Sequence, residues 1–163
     1  MTPPYRVGDE LPPLEIPVTR TLIVAGAIAS RDYQDVHHDA ASAREKGSPD
    51  IFMNILTTNG LVGRYITDHF GPTAVLRKVA IRLGAPNYPG DVLRLTGRIT
   101  ELRTADASSA DTSSADASSD EVVDAVEAIE AVVQVTGGNG IGRHVTGTVA
   151  VTLPEPSVGR AGA

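Results

Sequence analysis

The chain has 163 residues, 41% of them hydrophobic, and a formal net charge of −6. This length suits one domain with a single core, and the acidic balance argues against a nucleic-acid partner, which favours a basic surface. The absence of cysteine excludes disulfides and thiolate chemistry. The longest apolar run, residues 22–29, is too short to span a bilayer, and the N-terminus lacks a secretory pattern. We therefore expect a cytoplasmic protein that binds neither nucleic acid nor membrane.

The first part of the chain contains a predicted N-terminal arm and, further on, a predicted short helix. Five prolines within residues 1–17 favour an extended N-terminal arm over a regular element, so we expect the domain itself to span residues 18–155. Beyond the apolar run, Asp39 is a good N-cap and Gly47 a good terminating residue. They predict a short helix over residues 40–46.

A long amphipathic helix is predicted next. Ser48, Pro49 and Asp50 are typical of a helix start, so we predict helix over residues 48–68, with Gly71-Pro72 ending it. Gly60 and Gly63 lie inside it and weaken an isolated helix by about 1 kcal/mol each. We expect close approach of the helix to a sheet to offset this loss. Apolar side chains recur along one face at helical spacing: Phe52, Ile55, Leu56, Val62, Tyr65 and Ile66.

The rest of the chain has the period-two alternation of β-strands, around residues 79–83, 93–99 and 145–153. A Gly-Gly-Asn-Gly stretch at 137–140 predicts a hairpin before the last of these. Residues 121–135 carry apolar positions at helical spacing, but the hairpin needs a partner, so we predict a strand from about Ala128. One long helix against antiparallel strands makes an α+β fold.

An insertion over residues 104–120 interrupts this pattern. An Ala-Asp-x-Ser-Ser pentad occurs three times between residues 105 and 119, and no large apolar side chain is present. Such a segment has nothing to bury, so we predict a disordered hairpin loop. We also expect residues 156–163 to form a flexible tail.

The candidate chemistry lies between Arg31 and Asp39. Asp32 and His37 are five positions apart, which leaves their side chains roughly 140° apart on a straight helix and on opposite faces of a strand. They converge only where the chain bends, and a carboxylate–imidazole pair at a bend is a general acid/base couple. His37 beside His38 also suggests a metal, but adjacent side chains diverge and no third His follows at ligand spacing. We predict no metal and no cofactor.

The same stretch resembles the D-x-N-P-(aliphatic)-H-x-D signature of MaoC-like (R)-specific enoyl-CoA hydratases. Gln34 and Asp35 stand where that family usually has Asn and Pro. Together with residues 50–56, the stretch is similar to the small MaoC-like subunit of actinobacterial steroid side-chain hydratases. The positions that match the D-x-N-P-(aliphatic)-H-x-D signature are Asp32, Val36, His37 and Asp39.

The resemblance implies a single hot-dog fold, in which an antiparallel sheet wraps around one central helix. It implies a hydro-lyase that adds water to an α,β-unsaturated acyl-CoA thioester, with a steroid side chain as the acyl group. It also implies a partner, because the family pairs or fuses two hot-dog halves. We expect either a second MaoC-like subunit or a homodimer.

Water addition needs a base for the water, an acid for the α-carbon and a donor for the enolate oxygen. We assign Asp32 as the base and His37 as the acid, although the sequence leaves the reverse open. The family commonly uses a Gly N–H as the donor at the helix start, and Asn54 is the matching position. We expect its backbone N–H to serve, and Asn54→Gly to be tolerated. Gln34 either orients the water or the dyad, or is only a turn residue.

Two other functions remain open at this point. The chain is alternatively a non-catalytic hot-dog subunit that binds acyl-CoA or supports a partner, although it keeps both Asp32 and His37. A thioesterase shares the fold but usually places its acid on the central helix, and residues 52–66 contain no Asp or Glu. His69 and His144 belong to no motif, and we expect both to be structural.

Overall fold

A computed structural model describes residues 5–105 and 128–154 of the chain. Its strands are β1 (Glu10–Pro17), β2 (Val75–Leu83), β3 (Val92–Ala105), β4 (Ala128–Gly138) and β5 (Arg143–Pro154). Its α-helices are α1 (Arg20–Ala29), α2 (Ala40–Glu45) and α3 (Ile55–Phe70). The strands form one antiparallel sheet in the order β1-β3-β4-β5-β2, and α3 packs against β1, β2 and β5. The predicted α+β architecture, a sheet around one long helix, is confirmed.

The inner face of the sheet supplies most of the core. Ile99 of β3 pairs with Val133 of β4, which pairs with Val149 of β5, so their buried side chains form a continuous row. Along each strand, buried residues alternate with residues whose side chains face the other side of the sheet, as the period-two alternation predicted. The helix covers this row with its own buried apolar side chains: Leu61, Val62, Tyr65, Ile66 and Phe70.

Residues 10–17 form a strand rather than the predicted arm. β1 pairs with β3, and Leu11 and Ile16 are buried in the core. Proline is tolerated here because β1 lies at the edge of the sheet and its register shifts between Leu11 and Leu14, where Pro12 and Pro13 stand. A residue without an N–H costs least at such a bulged edge. The domain therefore begins before residue 18.

The long helix begins at Ile55 rather than at Ser48. Asn54 is its N-cap, because its side-chain Oδ1 accepts the Thr57 N–H at 2.9 Å. The helix ends at Phe70, where Gly71-Pro72 was predicted to stop it, and Gly71 takes the positive φ of 92° that favours glycine.

The segment before α3 is not helical because other parts of the chain hold its backbone. The Phe52 N–H donates to the Val36 carbonyl at 3.3 Å, and the Met53 N–H donates to the Asn87 carbonyl at 3.0 Å. These bonds replace the i−4 bonds that a helix over this segment would need. They also attach the start of α3 to the bend that follows α1.

The expectation for the two helix glycines holds for one of them. A Cβ at Gly63 would lie 3.3 Å from Leu76 of β2, so the helix approaches the sheet there. A Cβ at Gly60 would have no atom of the described residues within 4 Å. The buried apolar face also begins later along the helix than its pattern predicts, because Ile55 and Leu56, the first two residues of α3, are 50% and 48% exposed.

The remaining local predictions are confirmed where the structure describes them. α2 begins after Asp39, whose carboxylate accepts the N–H groups of Ala41 and Ser42, and β4 begins at Ala128. A four-residue loop joins β4 to β5 at the predicted hairpin. Residues 106–127, which hold most of the low-complexity insertion, and the predicted tail at 156–163 lie outside the described residues. Over the described ranges, no helix is both long and apolar enough to cross a membrane.

Candidate active site

Asp32 reaches the site through the way α1 ends. The Arg31 N–H donates to the Ile28 carbonyl at 3.0 Å and the Asp32 N–H donates to the Ala27 carbonyl at 2.9 Å. This pair of bonds is the Schellman motif, which reverses the chain at a helix end. Arg31 occupies its left-handed position with φ of 57°, where glycine is usual. The reversal turns Asp32 out of the helical path.

A second bend follows, and α2 anchors it. Residues Asp35–His37 form a 3₁₀ turn, and the Asp35 carboxylate accepts hydrogen bonds from Lys46 and Ser42. The hydrogen bond from Lys46, followed by the one from Ser42, lowers the pKa of Asp35 to about 2. Asp35 therefore stays charged and ties the turn to α2, which places the His37 ring.

The two bends bring Asp32 and His37 together. His37 Nε2 lies 3.3 Å from Asp32 Oδ2, and the two side chains are 7% and 18% exposed. The other ring nitrogen, Nδ1, lies 2.7 Å from the Phe52 carbonyl oxygen. Because a carbonyl only accepts, Nδ1 carries a proton in both the neutral and the charged ring. Nε2 is therefore the nitrogen that gains and loses a proton, and it faces the carboxylate.

The carboxylate itself is held by neutral donors. Asn54 Nδ2 donates to Asp32 Oδ2 at 3.0 Å, and the Gln34 backbone N–H reaches Oδ1 at 3.4 Å. The hydrogen bond from Asn54 is the main cause that lowers the pKa of Asp32; burial opposes it, and the Gln34 N–H and His37 add to the lowering. Asp32 is therefore ionised at neutral pH.

The predicted site residues divide into two groups. Asp32, His37 and Asn54 are brought into one cluster. Gln34 contributes only its backbone N–H to Asp32, and its side chain is exposed. His38 is exposed and points to the Tyr33 carbonyl, at 3.3 Å. Among the described residues, no group of three His, Asp or Glu side chains is arranged to hold a metal.

The start of α3 offers free backbone donors next to the dyad. Asn54 Oδ1 already satisfies the Thr57 N–H, whereas the N–H groups of Asn54, Ile55 and Leu56 have no acceptor within the described residues. The helix dipole adds partial positive charge at this end. The arrangement can stabilise an oxyanion close to Asp32.

Two contributions to this site do not follow from the sequence predictions. One is the Asn54 side chain, which reaches Asp32 as well as capping α3. Its strong N-cap preference was a usable signal for the cap but not for the contact with Asp32. The other is the Phe52 carbonyl, which sets the protonation of His37 and which no sequence pattern reveals.

His144 is buried away from the dyad. Its Nδ1 lies 2.6 Å from the Ala85 carbonyl and its Nε2 lies 2.9 Å from Thr58 Oγ1. Burial lowers the pKa of His144, so the ring is neutral and Nε2 accepts the Thr58 hydroxyl proton. The residue links β5 to α3.

Solved structures show which class of protein has this fold. The (R)-hydratase from A. caviae superposes with a TM-score of 0.71 at 18% identity, covering 93% of this chain and 98% of that one. The MaoC-like dehydratase from Rhodospirillum rubrum superposes with a TM-score of 0.70 at 18% identity, covering 93% and 94%. This likeness shows the hot-dog fold.

Sequence relatives show the family. No family model matches the chain. The 3-oxo-4,17-pregnadiene-20-carboxyl-CoA hydratase beta subunit of Mycobacterium tuberculosis is 40% identical over 149 residues, which are 91% of this chain and 97% of the relative. A chain in the crystal structure of the ChsH1-ChsH2 complex from M. tuberculosis is 38% identical, with a TM-score of 0.73, covering 94% and 99%. The chain belongs to the MaoC-like hydratase family and is a hydro-lyase.

Proposed function

We propose that this chain is the catalytic subunit of an enoyl-CoA hydratase that acts on a steroid side-chain enoyl-CoA. The observation that carries the proposal is the contact between His37 Nε2 and Asp32 Oδ2 at 3.3 Å, with the other ring nitrogen engaged by a carbonyl. The name of the 40% identical relative supports the substrate class. The similarity to a chain of a two-component complex supports a second MaoC-like subunit as the partner.

The dyad divides the two proton transfers of hydration. Ionised Asp32 takes a proton from water as its oxygen attacks the β-carbon of the thioester. Protonated His37 presents its Nε2–H and delivers that proton to the α-carbon. A proton then passes from the Asp32 carboxyl group to His37, which restores both groups. One water is consumed and no proton is left over.

The free N–H groups at the start of α3 stabilise the enolate oxygen. Negative charge develops on the thioester oxygen during water attack, so donors at a helix N-terminus bind the transition state more tightly than the substrate. The Asn54 backbone N–H belongs to the same residue whose side chain donates to Asp32. We therefore place the thioester carbonyl against the first turn of α3.

The surroundings of the dyad support a partner. Large apolar side chains are exposed at the end of α1, the following bend and the start of α3: Ile28 at 57%, Tyr33 at 68%, Ile55 at 50% and Leu56 at 48%. Exposed apolar residues at a site indicate a surface that binds ligand or protein. A bulky acyl-CoA also needs a deep, enclosed cleft, which a second hot-dog subunit would complete.

The test of the proposal is a hydration assay on a panel of enoyl-CoAs, with the chain co-purified with its partner. Asp32→Asn and His37→Ala should each lower kcat by about 10²–10⁴-fold, the usual loss for an acid/base group. His38→Ala is the matched control, because it removes the neighbouring exposed imidazole and should leave kcat unchanged. Near wild-type turnover by Asp32→Asn or His37→Ala would place the chemistry on the partner and leave this chain as a binding or scaffold subunit.

Assembly is tested separately by light scattering. We expect the chain to form a dimer, with itself or with a second MaoC-like protein. A monomer with full activity and no added protein would contradict the proposed partner, without affecting the roles of Asp32 and His37.

A further inference from the structure

We propose that Asn54 is a positioning residue of the hydratase, whose side-chain amide joins the start of α3, the end of α1 and Asp32 into one unit. The proposal rests on the proposed function, because it assigns Asp32 as the group that accepts the water proton. It assigns to the Asn54 side chain a part that the backbone N–H does not play.

The amide of Asn54 is almost fully used. Its Oδ1 accepts the Thr57 N–H at 2.9 Å, while its Nδ2 donates to Asp32 Oδ2 and to Ser30 Oγ, both at 3.0 Å. Asn54 as a whole is 2% exposed. A flipped amide would set Oδ1 against a carboxylate and Nδ2 against an N–H, so only this orientation satisfies its neighbours. The amide is therefore held in one orientation, and its hydrogen bond to Oδ2 fixes the Asp32 carboxylate in turn.

Ser30 fixes the amide from the α1 side. The Ser30 hydroxyl donates to the Gly26 carbonyl at 2.7 Å, so its oxygen is left to accept from Asn54. Ser30 is the C-cap of α1, two residues before Asp32. One amide group consequently holds both ends of the reversal that presents the carboxylate.

The sheet fixes Asn54 from behind. The Thr58 N–H donates to the Asn54 carbonyl at 3.2 Å, and the buried His144 of β5 accepts from the Thr58 hydroxyl at 2.9 Å. A line of hydrogen bonds therefore runs from β5 through α3 to Asp32. These bonds anchor Asp32, which lies on a bend, to the rigid sheet.

The same contacts choose which oxygen of Asp32 reacts. Among the described residues, Oδ2 is shared by Asn54 and His37, whereas Oδ1 has only the Gln34 N–H at 3.4 Å. Oδ1 is thus the oxygen left for the attacking water. Loss of the amide frees the carboxylate to rotate, and a misplacement of about 1 Å is enough to cost about 10²-fold in rate.

Two substitutions separate positioning from helix capping. Asn54→Ser and Asn54→Asp both keep a side chain that caps helices well, and neither retains the amide donor for Asp32. Asn54→Asp also places a second carboxylate beside the first. Asn59→Ser is the matched control, because Asn59 is an exposed residue of the same helix. All variants are assayed as the full chain in its active assembly.

We expect both Asn54 variants to lose about 10–100-fold in kcat, with KM changed far less. His37 is the titratable group that faces Asp32, and the pKa of Asp32 is lowered chiefly by Asn54. Without the donor that pKa rises, so the acidic limb of the kcat profile moves to higher pH, and further in Asn54→Asp than in Asn54→Ser. Asn59→Ser should show none of these changes.

A structural role alone would lower the melting temperature and leave the acidic limb unmoved, which would overturn the proposal, as would unchanged kcat in both Asn54 variants. A carboxyl ¹³C NMR titration of Asp32 is independent of turnover. If the wild type hydrates no enoyl-CoA, the proposed function fails, yet a raised Asp32 pKa in Asn54→Ser would still uphold the positioning contact. On this proposal Asn54→Gly is not tolerated, opposite to the expectation from sequence.

Discussion

Gly26 of α1 lies against Thr57 of α3, and this contact sets the spacing of the two helices that carry the site. A Cβ added at Gly26 would lie 2.1 Å from Thr57 Oγ1, 2.8 Å from its Cγ2 and 3.0 Å from its Cβ. Rotation of the Thr57 side chain moves the first two atoms but not the third. The helices must therefore separate, and separation pulls Ser30 and Asp32 away from Asn54.

We expect Gly26→Ala to lower the free energy of unfolding by about 2 kcal/mol. Overpacking of this severity costs up to about 3 kcal/mol, and Ala returns about 1 kcal/mol of helix propensity. Gly60→Ala is the matched control, because it makes the same change at a helical position where the new Cβ has no described atom within 4 Å. That variant should gain about 1 kcal/mol. Urea denaturation measures both, and the hydration assay should show a lower kcat only for Gly26→Ala.

A double variant tests the cause. Thr57→Ala removes the two closest atoms, and the Oγ1 that it deletes is buried without a partner among the described residues. Gly26→Ala should therefore regain stability when it is combined with Thr57→Ala. If Gly26→Ala alone proves as stable as Gly60→Ala, the tight contact between α1 and α3 does not exist and does not set the spacing of the two helices.

Three further predictions concern stability. Arg31→Gly should raise the free energy of unfolding by about 1 kcal/mol, because a side chain at φ of 57° is strained; a loss in urea denaturation would contradict this. Burial lowers the pKa of His144 below its ordinary 6.5, so stability should fall as pH drops below 6.5 towards the lower folded value. His144→Gln should flatten that slope in melts across pH. Replacing residues 106–119 with a short Gly-containing turn should leave melting temperature and activity unchanged, since each halving of a loop alters closure by only about 0.6 kcal/mol; loss of either would show that the repeat matters.

Much of the fold follows from local patterns. The α2 helix is set by a cap within its own segment, because Asp39 accepts the N–H groups two and three residues on. The strands follow from side chains that alternate between core and solvent, and this alternation requires no knowledge of the partner strand. The bend that brings Asp32 to His37 is also predictable, because no straight element joins residues five apart.

Other features depend on partners distant in sequence. β1 forms despite Pro12 and Pro13 because β3 offers it an edge and a bulge absorbs the prolines. Ser48 fails to start a helix because the following backbone bonds to Val36 and Asn87 instead. Local propensity is worth about 1 kcal/mol or less per residue, so a few tertiary hydrogen bonds override it.

The sequence by itself determined the strand pattern, the short helix and the spacing of Asp32 and His37. Only the tertiary structure decided how that pair is tuned. The Phe52 carbonyl selects the nitrogen of His37 that exchanges protons, and the Asn54 amide orients the carboxylate. Both partners lie 15 to 22 residues away along the chain. The reason is physical: a hydrogen bond requires its donor–acceptor distance to be correct to within a few tenths of an ångström. The packing of α1, α2 and α3 sets that distance, and no local preference encodes it.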